Sequence, residues 1–175
     1  FLSPTEYLLR IKDIAKKRNT LSDYLTRYKK GEISADIIAA IAIKYEDRKE
    51  NDKAVEFYSI LIKDYPDPSS EYYKKGKFFL ASNEFINGNE NALKDYVSNN
   101  PNSPFHFDAY RKIVYHYADT EQKEKELSTY KEMLLIFPDD PGALNSYAWR
   151  MAEIETNLED ALIKVRTAVE LTAYN

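Results

Sequence analysis

The sequence predicts an all-α chain: about four tandem helical hairpins, preceded by one or two further helices. Three observations carry that prediction. Apolar residues recur at three- and four-residue steps almost throughout, the period of one face of an α-helix. No stretch alternates apolar and polar residues cleanly enough for a half-buried strand. One helix–turn–helix pattern returns at a spacing of about 34 to 38 residues, which marks a repeat array.

Residues 1–33 stand apart as N-terminal helices that cap the array or link it to something else. Ser3-Pro4-Thr5-Glu6 opens a helix, with Ser3 as cap, Pro4 in the first turn and Glu6 reaching back to the cap amide. Tyr7, Leu8, Ile11, Ile14 and Ala15 follow at helical spacing. A second helix is predicted from Leu21 to Lys30, stopped by Gly31. This stretch holds eight basic and four acidic residues, so the remainder carries −8 of the overall −4. Lys16-Lys17-Arg18 reads as cations at a helix C-terminus, which the dipole favours, in preference to an anion-binding patch.

The hairpins are predicted over 34–68, 69–104, 105–140 and 141–175. In the first, Ile37, Ile38, Ile41, Ala42 and Tyr45 form one stripe. After a polar break, Ala54, Phe57, Tyr58, Leu61 and Ile62 form the next, which Pro66 stops. In the second, Tyr72, Tyr73, Gly76, Phe79 and Leu80 lead through Asn87-Gly88-Asn89 to Ala92, Leu93, Tyr96 and Val97. In the third, Tyr110, Ile113, Val114 and Tyr117 precede Leu127, Tyr130, Met133, Leu134 and Pro138. In the last, Leu144, Tyr147, Ala148 and Met151 precede Ala161, Leu162, Val165 and Ala168.

Composition excludes whole classes of function. With no Cys there is no disulfide framework, Cys-based zinc site, thiol nucleophile or redox pair within the chain. A net charge of −4 argues against a nucleic-acid partner held by phosphate contacts. No apolar run approaches the ~18 residues of a membrane helix, so no membrane insertion is expected. The start at Phe1 reads as a fragment or a mature product. The compartment stays open, as a soluble cytoplasmic or periplasmic chain. His106 and His116 are ten residues apart, unlike a metal-ligand step on one helix, and are expected to be packed or surface residues. Asp139-Asp140, between two prolines, is expected to cap a helix rather than hold a cation. There is no glycine-rich phosphate loop and no nucleophile-elbow serine. Neither catalysis, cofactor nor metal is expected. Aromatic residues make up 14% of the chain, but their helical spacing assigns most of them to core stripes rather than to a base-stacking surface.

Residues 34–68 resemble a tetratricopeptide repeat (TPR), a helix–turn–helix of about 34 residues. Ile38, Ile41, Ala42, Tyr45, Ala54, Tyr58, Leu61 and Pro66 carry the likeness. Ala42 and Ala54 are small where the two helices cross, and Tyr45 and Tyr58 are expected to fill the spaces between hairpins. The third hairpin matches at Tyr110, Ile113, Tyr117, Tyr130 and Met133. There Glu126 replaces the small residue, which implies a wider or solvent-facing crossing. The last matches at Leu144, Tyr147, Ala148, Met151, Ala161, Val165 and Ala168, and the second matches poorly.

The resemblance implies a right-handed, TPR-like solenoid whose concave face, lined by the first helix of each hairpin, binds a protein or peptide partner. By position in the unit, Ala39, Ile43, Tyr73, Lys77, Arg111, Tyr115, Asn145 and Trp149 should face inward. Trp149 either meets a partner there or packs on a neighbouring helix. One TPR group clamps a peptide carboxylate with Lys, Asn and Arg. Here Ala39 and Ile43 stand where a Lys and an Asn are needed, so that clamp is not expected. Asp36, Glu46 and Asp47 would make that end of the groove acidic. The expected function is a non-catalytic protein–protein interaction module, and self-association as a homo-oligomer is compatible with it. Phe1-Leu2-Ser3-Pro4-Thr5-Glu6-Tyr7-Leu8 is also similar to the end of a thioredoxin-like domain. That likeness implies an alternative: a substrate-presenting or dimerising tail of a bacterial thiol-disulfide oxidoreductase whose redox domain lies upstream.

Overall fold

The computed structural model describes residues 3–16 and 18–173. Phe1, Leu2, the Ala15 side chain and Lys17, the centre of the basic run, lie outside the described residues. Ten helices and no strand run through the described part. They are α1 (Pro4–Ala15), α2 (Leu21–Lys29), α3 (Ala35–Asp47), α4 (Asn51–Asp64), α5 (Glu71–Ile86), α6 (Ala92–Asn99), α7 (His106–Asp119), α8 (Lys123–Ile136), α9 (Pro141–Glu153) and α10 (Leu158–Ala173). The chain forms two compact units, residues 1–92 and 93–175. None of these helices is long and apolar enough to cross a membrane.

Side-chain caps start four of the helices. The Glu6 N–H donates to Ser3 Oγ and the Ser3 N–H to Glu6 Oε2, closing the expected capping box. Thr20, Ser34 and Asp140 accept from the third residue of α2, α3 and α9. Asp140 therefore acts as a cap, as its sequence position suggests. Helices α4 and α8 each end two residues before a proline, Pro66 and Pro138.

Five turns share one closure. The N–H of Glu32, Glu50, Asn89, Gln122 and Thr156 donates to the carbonyl five residues back, on Arg27, Tyr45, Glu84, Tyr117 and Met151. The residue before each donor has left-handed backbone: Gly31 (φ 88°), Lys49 (59°), Gly88 (102°), Glu121 (56°) and Glu155 (49°). Of the five, only Gly31 and Gly88 take that conformation without steric cost.

In the first unit, α2 packs on α3, α3 on α4 and α4 on α5. Ala42 and Ala54 are fully buried where α3 and α4 meet. Tyr58 on α4 packs against Phe79 of α5 and donates to Glu46 Oε2 of α3 at 2.6 Å. Lys75 of α5 lies 3.2 Å from the same carboxylate oxygen. Burial, reinforced by the Glu46 carboxylate, holds the Tyr58 phenol well above its ordinary pKa. Tyr45 behaves differently from the expectation. Its ring rests on Phe57 of its own hairpin and under Lys53, because α4 is the nearer wall. Gly76 lets α5 approach α4: a Cβ there would stand 3.1 Å from Tyr58 and 3.2 Å from Ile62. Most of α1 is exposed, including Tyr7, Leu8, Leu9, Ile11 and Ile14.

In the second unit, α7 packs on α8, α8 on α9 and α9 on α10. The Tyr147 hydroxyl donates to Asp160 Oδ2 at 2.8 Å and so ties α9 to α10. Tyr130 and Tyr147 meet edge to face at 5.8 Å. Phe137 packs edge-on against His106, Phe107 and Tyr110. The sequence expectation of a wide or wet crossing at Glu126 is wrong. Its side chain is buried, 1% exposed, and Arg150 of α9 binds it with two bonds, Nε to Oε1 at 2.6 Å and Nη2 to Oε2 at 3.1 Å. The guanidinium neutralises the carboxylate that an alanine would have avoided.

Three expectations follow. Glu121→Gly removes left-handed strain at an exposed turn and raises stability by about 0.5–1 kcal/mol in urea titration. Arg150→Met leaves the Glu126 carboxylate buried and uncompensated. It costs about 2–3 kcal/mol, below the ~3–5 of a fully buried pair because Arg150 is partly exposed, and Glu126→Leu in the same chain recovers most of it. Burial first, then the bond to Asp160, pushes the Tyr147 phenol from 10.0 up to about 12. The folded state holds this proton more tightly than the unfolded chain. Its contribution is therefore complete below pH 10 and lost as the pH rises toward about 12, and Tyr147→Phe shows a shallower decline of stability in that window.

Candidate functional site

An open groove of about 650 Å³ lies within the second unit. Helix α7 supplies Phe107, Arg111 and Tyr115, one face at four-residue steps, and α9 supplies Asn145, Trp149 and Glu153 in the same way. Buried Glu126 and Tyr130 of α8 form its base. Gly142 opens α9 beside the groove: a Cβ there would stand 3.0 Å from the capping Asp140 Oδ1 and 3.4 Å, an ordinary contact, from the Phe107 ring.

The Arg111 guanidinium lies over two rings, 5.9 Å from the centre of Phe107 and 5.8 Å from that of Tyr115. One of its nitrogens, Nη1, donates to Asp108 at 3.2 Å. Across the groove the Trp149 indole is 69% exposed, and its Nε1–H donates to Glu153 at 3.1 Å. Arg150 also reaches Glu153. Its bonds to Glu126, foremost, hold its pKa above the ordinary arginine value. Asp119 and Glu153 are exposed carboxylates at one end. The surface thus combines stacking faces, one accessible guanidinium and a weakly acidic end.

Four of the eight residues expected to face a partner come together here: Arg111, Tyr115, Asn145 and Trp149. The other four lie in the first unit. Ala39 is fully buried and so presents no surface to a partner, and Ile43 is half-buried against that unit's core. Tyr73 and Lys77 stand half-buried on α5, the ammonium 5.9 Å from the ring centre. The acidic end expected from Glu46 and Asp47 is also altered. Glu46 is taken up by Tyr58 and Lys75, and Asp47 faces Arg10 at 4.0 Å. Phe107 and Glu153, beyond those eight, stand one helical turn from Arg111 and Trp149, a spacing that places them on the same faces. The Glu126–Arg150 pair spans 24 residues and has no local signal.

The two histidines line no part of the groove. His106 is buried against Tyr110 and Phe137, and its Nδ1 donates to the Pro101 carbonyl at 2.8 Å. His116 stacks beside Tyr117.

No family model and no curated protein matches the chain. Solved structures do. A crystal structure of MamA superposes with a TM-score of 0.61 at 17% identity, covering 99% of this chain and 97% of that one. The MamA RS-1 ArsTM double mutant gives 0.60 at 11%, covering 96% and 93%, and MamA MSR-1 gives 0.55 at 16%, covering 88% and 86%. The likeness of residues 1–8 to a thioredoxin-like domain has no counterpart in these comparisons. At such identities the likeness is one of fold, and the fold is an all-α, TPR-like solenoid.

Proposed function

We propose that this chain is a non-catalytic protein–protein interaction module that holds a peptide or helix of a protein partner in the groove between α7 and α9. The observation that carries the reading is Trp149, a large apolar ring left open to water opposite Tyr115 and Arg111. Trp, Tyr and Arg dominate the energetics of protein interfaces, and exposed aromatic clusters are costly without a use. The groove's chemistry favours an amphipathic segment. Its apolar or aromatic side chain would lie on Trp149 and Tyr115. A carbonyl or carboxylate would meet Arg111, and a basic residue would face Asp119 and Glu153. The TPR-like fold supports the same reading, because stacked hairpins commonly present such surfaces to partners.

Trp149 is the only tryptophan of the chain, so its fluorescence reports on the groove directly. Peptides selected by the intact chain from a random library are expected to shift its emission to the blue. Trp149→Ala and Arg111→Ala should each weaken those peptides by at least about tenfold, the loss of one interface hot spot. Selected peptides that bind both variants undiminished, with helicity intact, would remove the groove as the site.

A further inference from the structure

Helix α10 has two unlike faces. Ala161 and Ala168 are buried on the side that packs against α9. The outer side carries Leu158, Leu162 and Val169, which are 53%, 49% and 61% exposed, with half-buried Val165 between them. A helix face turned to water is ordinarily polar. This one shows an apolar stripe at steps of four, three and four residues, the spacing of a coiled-coil seam.

We propose that this face is covered by α10 of a second copy of the chain, packed antiparallel about a two-fold axis. The stripe is self-complementary in that arrangement. With the axis between positions 163 and 164, Leu158 lies opposite Val169 and Leu162 opposite Val165, each contact made twice and each pairing a longer side chain with a shorter one. The charges beside the stripe agree. Glu159 and Arg166 are exposed and share no ion pair among the described residues. The same axis brings Glu159 of each copy beside Arg166 of the other, twice. A parallel pair would set both against the small residues of the α9 side and leave the charges unmatched. The area is that of one helix pair, below the ~1,600 Å² of a standard interface, so the dimer is weak and reversible. It leaves the groove between α7 and α9 untouched, and the two readings stand or fall separately.

Sedimentation velocity on the 175-residue chain, from micromolar to millimolar concentration, is the test. A reversible monomer–dimer equilibrium is expected. Leu162→Glu with Val169→Glu abolishes it without loss of helicity. Arg166→Glu sets like charges together at two places and raises the dissociation constant by about tenfold. Adding Glu159→Arg to that variant restores it. The charge exchange removes no apolar packing, so it decides the matter even where the glutamates unsettle the hairpin. A monomer at every concentration overturns the proposal. So does a dimer indifferent to the α10 changes, a dimer lost instead on Leu8→Glu in α1, or a charge exchange that fails to rescue.

Discussion

A buried phenol is costly without a hydrogen bond, and seven tyrosines stand among the buried residues of this chain. Among its fifteen tyrosines, Tyr58, Tyr96, Tyr130 and Tyr147 are buried and yet reach a polar partner. In three of the four the partner stands on another helix: Glu46, Ser146 and Asp160. A ring of this size fills the gap between helices, and its hydroxyl accepts only a narrow range of positions for the neighbour. Apolar burial supplies most of the driving force, but it is indifferent to small slips of one helix along another. The tyrosine hydroxyls are not, and they fix the register of the stack.

The groove in the second unit depends on that register. Glu126 and Tyr130 form its base, one held by Arg150 and the other by packing on Tyr147. Arg150 is committed to carboxylates on two helices, whereas Arg111 pairs with exposed Asp108 of its own helix and stays accessible to a partner. With both walls carried on helices, the exposed rings of Tyr115 and Trp149 are presented by a rigid backbone, and little order has to be gained on binding. The same unit also carries the apolar stripe of α10. The unit therefore has two surfaces that water does not suit, and they differ in kind. The groove is concave, mixed and aromatic, which fits a foreign segment. The stripe is straight, aliphatic and self-complementary, which fits a copy of itself.

Much of the helical content was legible. Three- and four-residue steps placed the helices, Ser3, Asp140, Pro66, Pro138 and Gly31 marked ends, and Asn87-Gly88-Asn89 marked a connection, with left-handed backbone at both glycines. The left-handed backbone at Lys49, Glu121 and Glu155 was not legible, because those residue types do not announce a positive φ. There the closure of the hairpin imposes the conformation, and tertiary packing overrides local preference. The groove was legible in part. Arg111, Tyr115, Asn145 and Trp149 share a position within their units, and the fold brings them together. Ala39 and Ile43 hold corresponding positions, but Ala39 is fully buried and Ile43 packs on the core of the first unit.

The sequence by itself determined which faces of the helices are apolar, and where many of them begin and end. Those properties follow from side chains within one or two turns of each other. Tertiary structure alone decided which face would be covered and by what. It turned Glu126 from an apparent misfit into half of a buried ion pair, and it left Trp149 and the α10 stripe open to water. Periodicity states that a face is apolar. The neighbour that face meets depends on contacts between residues far apart in the chain, and those exist only once the helices have packed.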